Sequence, residues 1–399
     1  MITRRNGRLI AGIAVSAVLA FTASSCGSSG GSTGSSGGTK TLPTKVGAGE
    51  GALNLIAWAG YAEDGSNDPK VDWVSSFEKD TGCKVNVKIG NTSDEMVQLM
   101  KTGEYDGVSA SGDATLRLIA GDDVAPVNTA LVPNYKDISP FLKDTHYNTV
   151  DGTNYGIPHG WGANLLMWNK SNVTPAPDSW GAVFEKDSPY KGKVTAYDSP
   201  IYIADAALYL MKTQPDLGIK DPYALNQKQF DAAISLLQQQ KANVGEYWSD
   251  YLKAASAFEN GSLELGTTWQ VIANTIEADK PGTVETVLPK EGSTAWSDTW
   301  MVSSKAKHPN CMYLWMNHIT SPAVQAQVAE YFGEAPANPK ACTETTDPNF
   351  CKQFHADDAA FAKKLYYWTT PTKQCLDGSG TDCVDYQKWT AAWNDLRGS

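Results

Sequence analysis

The sequence predicts an α/β fold in two lobes, each a mixed sheet flanked by helices, with a ligand cleft at the hinge. Three observations lead there. Strand-like and helix-like patterns alternate from Leu53 onward, which builds a parallel sheet with helices on its faces. Two stretches rich in Gly or Pro, residues 156–162 and 289–292, break that alternation where the chain would cross between lobes and return. The stretch from Leu53 to the end also has the length of two ordinary domains.

Residues 53–58 read as a short buried strand. Asp68 and Pro69 carry the preferences of a helix start. Val71, Val74 and Phe77 mark that helix's inner face, and Gly82 is its stop. Residues 84–89 alternate as a strand, and Thr92 with Glu95 forms a capping box ahead of Met96, Leu99 and Met100. A third strand is expected over 105–109 and a helix over 114–120. The second lobe is expected to hold strands over 163–168 and 262–269, with helices over 204–213, 227–241 and 251–260. The chain then returns with a strand over 299–303 and a helix from Ser321 and Pro322 to Phe332. The expected division is 51–157 with 295–335 for the first lobe, and 158–294 with 336–399 for the second. Ligands on such sheets sit beyond the carboxyl ends of strands. That singles out Trp58, Tyr61, Ser111 and Asp113.

The first 25 residues read as a signal peptide: Arg4, Arg5 and Arg8, an apolar run over 9–21, then Ala23, Ser24 and Ser25 before Cys26. The apolar run is shorter than the roughly 20 residues of a spanning helix. Cys26 is expected to be lipidated, and residues 26–50 to form a Gly/Ser-rich tether. This places the chain outside the cytoplasmic membrane, held by a lipid anchor. The six other cysteines suit disulfides in an exported protein. Locality pairs Cys342 with Cys351 and Cys375 with Cys383, leaving Cys83 for Cys311; other connectivities stay open. No metal-ligand spacing occurs, and no cofactor is implied.

Net charge is −11, and −14 without the three leader arginines, so a nucleic-acid partner is not expected. There is no P-loop, H-E-x-x-H or G-x-S-x-G. Ser76 with Lys79, and Lys101-Thr102-Gly103, imitate elements of a serine acyl-transfer enzyme but lie too close in sequence to be its paired motifs. No enzyme is expected.

What remains is aromatic and acidic. Of 13 tryptophans, Trp73, Trp180 and Trp315 are assigned to packing, whereas Trp58, Trp161, Trp269 and Trp296 fall at strand ends or crossings. Asp198 follows Tyr197 at another strand end, and Asp298 lies two residues after Trp296. Aromatic faces attract ammonium groups by roughly 0.5–2 kcal/mol each, and carboxylates add charge-assisted hydrogen bonds of roughly 1.5–3 kcal/mol. A few of each reach the roughly 8 kcal/mol of micromolar binding. Packing and capping are the competing explanation for each residue taken singly.

Several segments in order carry a family resemblance: Trp58-Ala59-Gly60-Tyr61, Gly103-Glu104-Tyr105-Asp106, Ile157-Pro158 with Trp161-Gly162, Leu265-Gly266 with Trp269, and Pro289-Lys290-Glu291-Gly292 with Trp296-Ser297-Asp298. The chain resembles the spermidine/putrescine-binding proteins of ABC importers from Leu53 to about Asn338. The resemblance implies a periplasmic-binding-protein fold, type II, that closes on a polyamine and presents it to permease subunits, working as a monomer. It also implies roles. Trp58 and Tyr61 line the first-lobe wall, Ser111 contacts the ligand, Asp198 grips an amine, Trp269 and Trp296 sandwich the alkyl chain, and Asp298 takes a terminal amine. Three positions depart: Asp113 stands where the family often has an aromatic, Ile201 where it often has a second acid, and Glu334 where it often has a tyrosine. Two other readings compete. A sugar receptor would also use tryptophan faces, and a secreted hydrolase could use two carboxylates such as Asp198 and Asp298.

Overall fold

A computed structural model describes residues 42–398. The expected leader, Cys26 and most of the Gly/Ser run lie outside those residues. The last part of the expected tether is fixed to the body. Gly47 N–H donates to Asn310 Oδ1 at 2.6 Å. The Glu50 carboxylate accepts from the backbone N–H groups of Asn310 and Cys311, both at 2.9 Å. Those donors open a helix, so Glu50 supplies the anion that a helix N-terminus favours.

The chain begins β1 (Ala52–Ala57), α1 (Val74–Thr81), β2 (Lys84–Ile89), α2 (Ser93–Lys101), β3 (Gly107–Ser111) and α3 (Gly112–Ala120). The short ribbon β4 (Thr149–Val150) and β5 (Thr153–Asn154) precedes β6 (Ile157–Ala163) and β7 (Leu165–Asn169). Next come α4 (Gly181–Phe184), β8 (Val194–Tyr197), α5 (Ile203–Thr213), α6 (Gln227–Gln240), β9 (Val244–Trp248), α7 (Tyr251–Glu259), β10 (Leu265–Thr268), α8 (Gln270–Asp279) and β11 (Val284–Val287). The last third holds β12 (Ser293–Val302), α9 (Pro309–Ile319), α10 (Pro322–Phe332), β13 (Ala335–Pro336), α11 (Phe350–Gln353), α12 (Ala359–Ala362), β14 (Leu365–Tyr367) and α13 (Tyr386–Gly398).

Two sheets organise the lobes. The larger runs β13-β6-β12-β3-β1-β2, with β14 added beside β12; the smaller runs β11-β7-β10-β8-β9. Both mix parallel and antiparallel pairs: β1 runs parallel to β2 and β3, whereas β12 lies antiparallel to β3 and β6. The chain passes between sheets at Asn164, between β6 and β7, and again before Ser293, where β12 begins. The two passages are tied side by side. Asn164 N–H donates to the Thr294 carbonyl at 2.9 Å, and its side-chain amide to Thr294 Oγ1 at 2.6 Å. A third passage leads from β14 to α13.

Local reasons account for most elements. Gly82 stops α1 in the left-handed conformation, at φ 73°. The Thr92 hydroxyl accepts from Glu95 N–H at 3.1 Å, while the Glu95 carboxylate reaches back to the backbone of Asn91. The helix expected at Asp68 and Pro69 begins instead at Val74. Asp68 accepts from Lys70 N–H at 2.9 Å and closes a turn, and the Trp73 indole donates back to the Tyr61 carbonyl at 3.2 Å. An Asp that satisfies a nearby N–H in a turn competes with its own role as a helix cap.

The glycine-rich stretch 156–162, read as a crossing loop, is largely strand β6. Its glycines serve close approach rather than bending. A Cβ on Gly160 would sit 2.3 Å from the Glu334 carboxyl group, and one on Gly162 would sit 2.7 Å from the Trp296 ring. The segment 336–399, expected wholly in the second lobe, divides between the sheets. β14 pairs with β12 of the larger sheet. α13 packs on the smaller lobe, with Trp389 5.9 Å from Phe230 and Trp393 6.0 Å from Tyr202 between ring centroids.

Three disulfides are present: Cys83–Cys311, Cys342–Cys351 and Cys375–Cys383. They are the pairs that locality selected. Trp73, Trp180 and Trp315 are all buried in the main core, as assigned. Among the described residues no helix is long and apolar enough to cross a membrane.

Candidate functional site

Three strands of the larger sheet, helix α10 and one strand end of the smaller sheet converge on a narrow cavity lined by Trp58, Ser111, Trp269, Trp296, Asp298 and Phe332. Trp58 follows the carboxyl end of β1, and Ser111 ends β3. Asp298 stands directly opposite Ser111 in the antiparallel β3–β12 register, so the Ser111 hydroxyl donates to Asp298 Oδ1. Trp296 lies two residues earlier on β12 and shares Asp298's face, because side chains alternate along a strand. Trp269 caps α8 at the end of β10 and brings the second lobe to the site. Its ring meets Trp58 edge to face at 5.7 Å. Trp296 meets Phe332, the last residue of α10, edge to face at 6.0 Å. These are the offsets that ring quadrupoles favour.

Behind this cavity lies a buried acid pair. Tyr61 Oη is 2.7 Å from Asp298 Oδ2 and 2.8 Å from Glu334 Oε2. A phenol has one proton to give, so both contacts can be hydrogen bonds only if one acid is itself protonated. Glu334 fits that role. Burial, reinforced by the charge of Asp298, holds its carboxyl well above the usual range. Glu334 then donates to Tyr61, which donates to Asp298. Burial also pushes Asp298 up, to about 6, against the opposing pull of the Ser111 and Tyr61 hydroxyls. The buried His159 lies 3.3 Å from Glu334 Oε1, but burial pushes its imidazole down to about 3, so it stays neutral. Among the described residues no Lys or Arg pairs with Asp298 or Glu334.

Asp113 is buried at the start of α3. One oxygen accepts from the Ser93 hydroxyl at 2.8 Å, and the other has no donor among the described residues. Burial, then the charge of Asp94, raises it to about 7. It does not line the cavity.

Asp198 is placed elsewhere. Both its oxygens are taken by α13: Trp393 Nε1 donates at 3.0 Å, and Arg397 donates through Nε at 2.9 Å and Nη2 at 3.1 Å. Here the acid anchors the C-terminal helix to the smaller lobe, and Ile201 beside it is buried in the core. Asp198→Ala is expected to lower thermal stability by about 1 kcal/mol, as for a partly exposed bidentate pair, and to leave ligand affinity within about twofold. A calorimetric titration of the variant checks this; a tenfold loss of affinity would return Asp198 to the site.

Sequence reasoning brought together Trp58, Tyr61, Ser111, Trp269, Trp296, Asp298 and Glu334. It missed Phe332, His159 and Trp368. The last bridges to Trp269 at 6.3 Å and stacks on Tyr197 at 5.6 Å with planes 7° apart. Phe332 had a signal, since it precedes the αL glycine Gly333 that turns the chain into Glu334. Trp368 had none, because its strand partner is a parallel neighbour remote in sequence.

Two α/β lobes joined by side-by-side passages, with aromatic rings and a buried acid at their junction, are the architecture of a solute-binding protein. A family model described as bacterial extracellular solute-binding protein matches residues 72–363, and the chain belongs to that family. A spermidine/putrescine-binding periplasmic protein of Escherichia coli is 26% identical over 296 residues, covering 71% of this chain and 81% of its own length. A putrescine-binding periplasmic protein of Pseudomonas aeruginosa is 25% identical over 307 residues, covering 72% and 79%. Among solved structures, a putative spermidine/putrescine ABC transporter from Listeria monocytogenes superposes with a TM-score of 0.70 at 20% identity, covering 87% of this chain and 97% of that one. The two-lobed architecture and the family resemblance read from the sequence are both upheld.

Proposed function

We propose that this protein is the receptor of an ABC importer for a polyamine, spermidine or putrescine, or a similar organic cation. The lobes close on the ligand and release it unchanged to the permease. The observation that carries this reading is the Asp298–Tyr61–Glu334 group: two buried acids with no Lys or Arg paired to them among the described residues, at the back of a cavity walled by Trp58, Trp269 and Trp296. Burying a carboxylate without a partner is unfavourable, and a guest ammonium supplies the partner. The names of the relatives support the same ligand class. Cys26, lipidated after removal of residues 1–25, would hold the receptor outside the membrane as a monomer.

The acids make this binding depend on pH, and the sign is fixed by the direction of their shifts. Asp298 and Asp113 are raised, to about 6 and about 7. The unliganded fold therefore binds more protons than the unfolded chain between about pH 4 and those values. The stabilisation these groups contribute is complete below about pH 4 and is lost as pH rises through 6 to 7. Aliphatic ammonium groups stay charged throughout, with pKa near 10. A ligand that needs an ionised Asp298 should thus bind more weakly by up to about tenfold per pH unit below 6. Thermal-shift titrations with spermidine at pH 5 and pH 8 test this: the ligand-induced rise in Tm should be clearly larger at pH 8. Equal shifts would mean that no titrating acid holds the guest.

A further inference from the structure

Beyond the inner cavity lies a larger one. The outer chamber, about 230 Å³, is bounded by both lobes. Gly162 and Trp296 come from the larger sheet, Thr286 and Gln270 from the smaller lobe, and a third wall carries His355 and Phe361. That third wall follows the Cys342–Cys351 disulfide, and its two rings stack at 3.8 Å with planes 10° apart. The two cavities share a wall: Trp296 lines both.

The chemistry of the two cavities differs. The inner one ends on Asp298. Among the described residues lining the outer chamber there is no Asp or Glu, so a second ammonium would meet ring faces there but no carboxylate. Asp198, the acid to which the family resemblance gave an amine, is occupied by Arg397 and Trp393, and the neighbouring acid position holds Ile201. The chamber offers ring surfaces instead, from Trp161, Trp296, Phe354 and Phe361, against which a flat neutral group can pack.

We propose that the outer chamber is a second ligand subsite, and that the ligand is an amine with one ammonium head and a neutral, flat aromatic arm. The head pairs with Asp298 and the arm passes Trp296 to lie against His355 and Phe361. This rests on the amine-binding reading above and narrows it.

The test compares putrescine with N-benzoylputrescine, which keeps one ammonium and replaces the other with a carbonyl and a ring. Calorimetric titrations use the wild-type protein and the half-buried wall variants Phe361→Ala and His355→Ala, with Tm as the control for folding. N-benzoylputrescine should bind the wild type at least about tenfold more tightly than putrescine, the gain expected of ring contacts with His355 and Phe361. Phe361→Ala and His355→Ala should each remove most of that gain and leave putrescine affinity unchanged. If putrescine binds and the benzoyl arm adds nothing, or if the gain survives both variants, the subsite is overturned while the amine reading stands. If neither compound nor spermidine binds the wild type, the amine reading falls and the subsite falls with it.

Discussion

Asp298→Asn is expected to weaken spermidine or putrescine binding by about 10- to 100-fold, the loss of a charge-assisted hydrogen bond of roughly 1.5–3 kcal/mol. The fold should survive, because the amide keeps the carboxylate's shape: its oxygen can accept from one of the two hydroxyls that Asp298 meets, Ser111 and Tyr61, and its NH2 can donate to the other hydroxyl's oxygen. The raised affinity of Asp298 for a proton sharpens the expectation. Burial already penalises its charge in the empty protein, so removing that charge should leave the unliganded protein as stable as before, or slightly more so, at pH 8. Binding and stability would move independently, which a merely structural acid could not produce. Calorimetric titration and a melting curve on the same preparation read both. Unchanged affinity would mean that the amine does not meet β12.

The second large effect concerns stability alone. Cys83 and Cys311 join residues 228 positions apart, tying the start of β2 to the first turn of α9. Closing so long a loop restricts the unfolded chain by up to about 5 kcal/mol in the chain-entropy account. The two local bridges, with separations of 9 and 8 residues, restrict it less. Replacing both Cys83 and Cys311 with Ala should therefore lower Tm by roughly 5–15 °C, taking about 2–4 °C per kcal/mol for a chain of this size class. The equivalent Cys375 and Cys383 pair should lower it by clearly less. Scanning calorimetry of the two double variants makes the comparison. Equal and small shifts would show that the long bridge does not form in the folded protein.

The parts of this fold legible in the sequence were those set by local chemistry. Gly82 and the Thr92 cap each satisfy their own stretch of backbone, and the helix end and start placed from them fall where expected. Position along the chain was less legible where distant residues decide. Asp68 looked like a helix cap, but the turn closed by Lys70 and the docking of Trp73 delay the helix to Val74. The glycines of β6 looked like a loop because their purpose, making room for Glu334 and Trp296, lies on strands more than 100 residues away. The same limit applies to the site. Trp58 and Tyr61 could be found because they follow the carboxyl end of a strand; Trp296 and Asp298 were found as an indole beside an acid, although they stand inside β12, which begins at Ser293 and not at the expected 299. Asp198 has the same local appearance and a different fate, since Arg397 reaches it from the far end of the chain. No pattern near Asp198 signals that partner.

The most direct test of the central claim, that unpaired acids between two aromatic-lined lobes hold a cationic guest, is native mass spectrometry of the protein mixed with equimolar spermidine, putrescine and maltose at pH 8. A 1:1 complex with an amine, absent for maltose and lost in Asp298→Asn, is the expected result. A 1:1 complex with maltose and none with either amine would contradict the account.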